Sequence, residues 1–229
     1  MDANFRIVCL CGSAGALSAY IDILGAMPVD SGMAFLVLTH RRVGQPCWLP
    51  EILARTTRMP VAEIEHGTVL APDRVYIIPA GRDMTTDGTS LSLAPSSSPR
   101  GWPRTFDIFL GSLAHATHCR AVAVILSGMA GDGSAALDAV RASGGITFAQ
   151  SGAAFSSMPD TAIHTGNVDF TGSPSEISSR IASLLASGFT DAGRALRDPG
   201  GKPRRHMDAC PVAGDSQASF SGQWLRPGE

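Results

Sequence analysis

Three stretches of this sequence are apolar runs with no polar alternation: FRIVCLC (5–11, apolar from Ile7 on), MAFLVLT (33–39, ending in Thr39) and AVAVILS (121–127, ending in Ser127). A strand with one wet face alternates apolar and polar residues, whereas an unbroken run fits a strand covered on both faces. None is long enough to span a membrane. Segments with helical spacing lie between them: 17–27; 47–57, with Leu49, Ile52 and Leu53 in register; 105–118, with Phe106, Phe109, Leu110 and Leu113 on one side; and 134–143. ITFAQ (146–150), a helix near 159–165, VDF (168–170) and a helix over 174–185 continue the alternation. Strands alternating with helices require right-handed crossovers, which lay helices over both faces of a parallel sheet. The expected fold is α/β, a doubly wound, mostly parallel, Rossmann-like sheet. One section breaks the pattern: VAEIEHG (61–67), RVYIIPAGRD (74–83) and SLSLAP (90–95) read as short strands joined by Gly and Asp turns, so a small β-hairpin section is expected around 60–95.

The periodicity fades near residue 188. The expected division is one domain over 1–188 and a poorly ordered tail over 189–229, rich in Gly, Pro and Ser. With 18 basic and 20 acidic residues the net charge is −2, which gives no electrostatic footprint for nucleic acid. The cysteines, at 9, 11, 47, 119 and 210, form no C-x-x-C pair and no disulfide framework. His115 and His118 are one helical turn apart but lack a companion carboxylate pattern, so no metal site is expected. The N-terminus lacks the long apolar stretch and cleavage site of a secretory leader. These features together predict a cytoplasmic protein that inserts into no membrane, binds no nucleic acid and needs no cofactor.

Polar residues follow each of the three buried runs: Ser13 after FRIVCLCG, His40 after MAFLVLT, and Asp132 in GMAGDG after AVAVILS. In a parallel sheet all strand ends of one sense share one edge, so the three side chains converge there. A hydroxyl, an imidazole and a carboxylate are the parts of a nucleophilic triad, because Ser needs a base and the base needs an orienting partner. The order Ser…His…Asp differs from the α/β-hydrolase order, and Cys11 stands where G-x-S-x-G requires its first Gly. Two other readings stay open on spacing alone. The glycines of CGSAG and GMAGDG could cradle an anion or stabilise an oxyanion through backbone N–H groups, Met129 being a natural donor. They could equally be tight turns, with Ser13 or Asp132 capping the helix that follows.

Taken together, CGSAGALSAY, FLVLTH, LPEILARTTRMPV, VLAPDRVYIIPAGRDM, AVAVILSGMAGDGSAAL, GGITFAQ, MPDTAI and VDF resemble, in order, the catalytic domain of the CheB chemotaxis receptor methylesterases, over about 5–187. The resemblance implies a triad of Ser13, His40 and Asp132. It also implies an oxyanion and substrate-binding surround of Ala14, Gly128 and Met129, with Arg41 beside the base able to meet an acidic receptor helix. It further implies hydrolysis of glutamate γ-methyl esters on cytoplasmic helices of chemoreceptors, and possible deamidation of receptor glutamine.

The sequence departs from the family pattern at several places. Ala14 replaces a frequent Thr, Thr39 a common Gln, Ala16 the second Gly of a pair, and SGAAFSS (151–157) is short. Members usually carry an N-terminal receiver domain; with the first strand starting at Phe5, the expectation is a catalytic domain alone, any regulation coming from a partner or from expression. The alternatives are an esterase or amidase acting on another substrate, and a catalytically silent receptor-binding module.

Overall fold

The computed structural model describes residues 5–184, apart from 42, 45, 46, 98–102 and 118. At its centre is β1 (Arg6–Gly12), buried along its whole length. It pairs in parallel with β2 (Met33–Thr39) on one side and β8 (Ala121–Ile125) on the other. The three apolar runs of the sequence are thus the three middle strands. β5 (Arg74–Ile77) and β3 (Val61–Glu63) extend the sheet beyond β2, and β9 (Ile146–Gln150) and β10 (Phe170–Gly172) beyond β8. The order β10-β9-β8-β1-β2-β5-β3 is parallel throughout.

Alternate residues of each middle strand feed two cores. Ile7, Cys9 and Cys11 share one face with Ala34, Leu36 and Leu38, under α3 (Thr105–Thr117), α4 (Leu137–Ala142) and α5 (Ser157–His164). Val8 and Leu10 face the other way with Phe35 and Val37, toward α1 (Leu17–Gly25), α2 (Leu49–Thr56) and α6 (Pro174–Ser183). This is the expected doubly wound architecture.

The 60–95 section needs a correction. Only β4 (Thr68–Val69), β6 (Arg82–Thr86) and β7 (Ser90–Pro95) form the small antiparallel sheet, ordered β4-β7-β6. β3 and β5 belong instead to the main sheet. The reason is visible in β5: Val75 and Tyr76 go to opposite cores, so the run is buried on both faces, as a parallel strand should be. The β6–β7 turn is held by Asp87, whose Oδ1 accepts from the Thr89 and Ser90 amides at 2.9 and 2.7 Å.

Two helices start later than their periodicity suggests. α2 begins at Leu49 rather than 47. α4 begins at Leu137 rather than 134, because 132–136 form a turn whose amides are claimed by another element. The tail from 189 lies outside the described residues.

Candidate active site

β1 and β8 are neighbours whose connections leave in opposite directions, β1 toward β2 and β8 toward β9. The carboxyl ends of such a pair open a crevice where sites in α/β sheets are built. Ser13 leaves β1 at this point, His40 leaves β2, and Asp132 lies in the loop after β8.

His40 and Asp132 meet directly: Nε2 of the imidazole lies 2.8 Å from Oδ2 of the carboxylate. The His40 side chain is 17% exposed and that of Asp132 3%. Asp132 is fixed from a second side by the start of α3. Its Oδ2 accepts from the Phe106 amide and its Oδ1 from the Asp107 amide, each at 3.0 Å. Asp132 is therefore a helix cap, as one reading of the sequence held, but of α3 and not of the helix that follows it. First-turn amides thus engage both of its oxygens at the positive end of the helix dipole. The His40 ring stacks on Phe106 with centroids 4.2 Å apart and planes 7° from parallel. Helix α3 thus supplies both the amides that aim the carboxylate and the ring that sets the plane of the imidazole.

Ser13 is placed by its backbone. Its N–H donates to the Ser127 carbonyl at 2.9 Å, and its carbonyl accepts from Ala16. It does not cap α1: the N-cap there is Ala16, and no side chain caps it. Among the described residues, the Ser13 hydroxyl has no hydrogen-bond partner, nor do the Ala14 and Met129 amides. The turn is shaped by two glycines. A Cβ on Gly12 would lie 2.5 Å from Ala16 Cβ and 2.6 Å from the Tyr20 hydroxyl oxygen. Gly15 has φ +73°, and its Cβ would meet Phe155 and Ser127 Oγ at 2.9 Å. Only glycine fits both demands at position 15.

Ser127, at the end of β8, joins three loops. Its hydroxyl donates to the Ala14 carbonyl at 2.8 Å and accepts from the Phe155 amide at 3.0 Å. Its own amide donates to Gln150 Oε1 at 2.9 Å. Gly128 is pinned to the same region, its N–H on the Phe155 carbonyl and its carbonyl accepting from Met158. A side chain at 128 would strike Met158, with Sδ at 2.9 Å. Met129 follows, 57% exposed as a residue, and Ala130 has φ +67°, a conformation costly for a residue with a Cβ.

Arg41, read as able to meet an acidic helix, is hydrogen-bonded within the fold. Its Nη2 bonds Glu63 Oε2 at 2.8 Å and the Ile78 carbonyl at 2.6 Å, tying the β2–α2 connection to the β3–β5 side of the sheet. Arg42 lies outside the described residues. Cys11 is fully buried, and burial, with Cys9, Asp132 and Asp107 nearby, holds its thiol well above the ordinary range, so it is no nucleophile.

The comparisons with known proteins follow the same path. The family model for CheB methylesterase matches residues 8–181. The chain belongs to the CheB methylesterase family. A solved CheB methylesterase catalytic domain from Thermotoga maritima superposes with a TM-score of 0.73 at 25% identity, covering 79% of this chain and 98% of that one. A protein-glutamate methylesterase/protein-glutamine glutaminase of Syntrophomonas wolfei is 33% identical over 190 residues, 79% of this chain and 54% of that protein. A 104.1 kDa protein of Rhodobacter capsulatus is 42% identical over 123 residues, 53% of this chain and 13% of that protein. The chain thus spans about half the length of the curated methylesterase it matches, and a small part of the larger relative.

Within this CheB-type domain, sequence reasoning missed Phe106, Asp107, Ser127 and Gln150. Phe106 was legible only as an apolar position in a helical stripe. Ser127 and Gln150 had a faint signal, each being the polar end of an apolar strand run (AVAVILS, ITFAQ), the same signal that exposed His40.

Proposed function

We propose that this chain is a serine esterase that hydrolyses γ-glutamyl methyl esters on helices of chemoreceptor-like proteins in the cytoplasm, releasing methanol and glutamate, and that it can deamidate glutamine at such sites. The observation that carries the reading is the 2.8 Å contact between His40 Nε2 and an Asp132 carboxylate already fixed by two α3 amides. With Nε2–H given to Asp132, the free lone pair of the imidazole sits on Nδ1, which makes Nδ1 the atom that serves Ser13.

Ser13 Oγ attacks the ester carbonyl as His40 Nδ1 takes its proton. The amides of Ala14 and Met129 stabilise the oxyanion. The tetrahedral intermediate expels methoxide, which leaves as methanol with the proton from Nδ1. Water then attacks the acyl-enzyme by the same route, restoring Ser13 and freeing the glutamate carboxylate. Asp132 stays ionised and stabilises the imidazolium through both steps. Deamidation follows the same path with ammonia as the leaving group. Met129 and Phe155, exposed on loops at the carboxyl edge of the sheet, offer apolar surface to the helix that carries the ester.

The test is methanol release from a methylated receptor fragment. Wild-type protein is expected to release it, and Ser13→Ala and His40→Ala to lose the activity. Release by Ser13→Ala at the wild-type rate would overturn the assignment. Labelling of Ser13 by a fluorophosphonate without release from receptor would keep the nucleophile and change the substrate. No adduct and no release would leave a binding module.

A further inference from the structure

The α3 terminus and the 132–136 turn exchange caps. Asp132 reaches across to the Phe106 and Asp107 amides. Asp107 reaches back, its Oδ1 accepting from the Ala135 amide at 3.1 Å and the Ala136 amide at 3.2 Å. The turn that carries Asp132 is therefore clamped to α3 at both ends, with two carboxylates side by side at one helix start. We propose that Asp107 is a positioning residue for the hydrolysis assigned above, holding the Asp132 turn in register with His40 and adding a second negative charge behind the base. The proposal rests on that reading of the site.

Geometry makes the first part of the role. Asp132 touches His40 through one oxygen and α3 through both, so its aim depends on where the 132–136 turn sits relative to α3. Asp107 fixes this from the α3 side through its bonds to the Ala135 and Ala136 amides. Electrostatics make the second part. Asp107 is held above the usual carboxylate range by burial first and by the Asp132 charge second, while the Ala135 and Ala136 amides and Arg104 pull the other way.

The remaining groups around the pair are few. Asp83 of β6 accepts from the Thr105 hydroxyl at 3.1 Å and from the Ser97 amide at 2.7 Å. Cys11 of β1 is buried beneath both carboxylates and stays a thiol. Asp138 stands in the first turn of α4, while Arg141 of the same helix is occupied by Asp169 at 2.9 Å. Arg41, next to the base, is paired with Glu63. Arg104 acts on Asp107 through its charge, but among the described residues Asp107 is in no ion pair.

The experiment compares Asp107→Asn, which keeps a carbonyl oxygen for the two amides and removes the charge, with Asp107→Ala, which removes both. The His40 imidazole is titrated by NMR in the full chain, and kcat and KM for ester cleavage are measured in parallel. Asp107→Asn is expected to lower the His40 midpoint by about half a pH unit, a roughly threefold loss of proton affinity, with KM unchanged. Asp107→Ala is expected to lower kcat about tenfold or more at constant KM, through misplacement of Asp132. A His40 midpoint in Asp107→Asn that superimposes on wild type overturns the proposal, as does a loss in Asp107→Ala that falls on KM alone. If Asp107→Ala fails to fold, the Asp107→Asn titration decides by itself. The titration needs no ester cleavage: a shifted midpoint in a protein that releases no methanol would uphold the coupling and remove the activity.

Discussion

The two halves of the site are held by different physics. On the base side, side chains do the holding: Asp132 takes two amides and an imidazole, and Phe106 lies flat against the His40 ring. On the nucleophile side, the backbone is fixed by the Ser127 carbonyl and by two glycines with no room for a Cβ, while the Ser13 hydroxyl is left without a partner among the described residues. The difference matches the work proposed for each half. A base must keep one tautomer and one orientation while its charge changes, which calls for a fixed opposite charge. A nucleophile must move into its electrophile, which calls for a rigid backbone around an uncommitted side chain.

The sharpest way to break this comparison is on the base side. Asp132→Asn keeps the shape but presents an amide to His40, which no longer holds the Nε2–H tautomer. A kcat loss of roughly 10³- to 10⁴-fold at constant KM is expected in steady-state hydrolysis. On the nucleophile side the equivalent blow is steric. Gly15→Ala combines a φ of +73° with contacts at 2.9 Å to Phe155 and Ser127. It should cost about 100-fold in kcat, because a shift of the turn misplaces Ser13. If Gly15→Ala were harmless while Asp132→Asn was severe, the nucleophile turn would not be rigid and the comparison would fail. Ser127→Ala is milder. It strips the Ala14 carbonyl of its donor and the Phe155 amide of its acceptor, for about 1–3 kcal/mol of stability by chemical denaturation. A kcat loss of about tenfold is expected with it.

What was legible in the sequence follows from the same division. Ser13, His40 and Asp132 stood out because each interrupts an apolar run or a glycine cluster, and a parallel sheet brings strand ends of one sense together. The clamp was not readable. Asp107 lies inside a helix pattern where an acidic first-turn residue is ordinary. Its partners, Ala135 and Ala136, contribute only backbone, which leaves no mark in sequence. The partners of Arg41 were hidden for a different reason: Glu63 lies in β3 and Ile78 just past β5, strands read as part of a hairpin section and placed by the fold in the main sheet.

The smallest effect expected tests whether the rest of the domain is only a scaffold for the two halves. At the start of α6, Ser173 Oγ accepts from the Glu176 amide, and the Glu176 carboxylate accepts from the Ser173 amide at 2.7 Å and the Ser173 hydroxyl at 2.8 Å. This capping box lies on the side of the sheet opposite α3, against the α1 core. Ser173→Ala should cost about 1 kcal/mol of stability at neutral pH and leave kcat and KM unchanged. Glu176 is held below the ordinary carboxylate range, by the Ser173 amide first and the hydroxyl second. A depressed carboxylate contributes stability that is present above its unfolded pKa and lost as pH falls through its folded pKa. The hydroxyl's share of that contribution is missing in Ser173→Ala, so the gap to wild type should narrow as the solution is acidified below the ordinary glutamate range. A change in kcat would mean that α6 reaches the nucleophile turn through α1. The backbone-held half of the site would then be softer than its glycines imply.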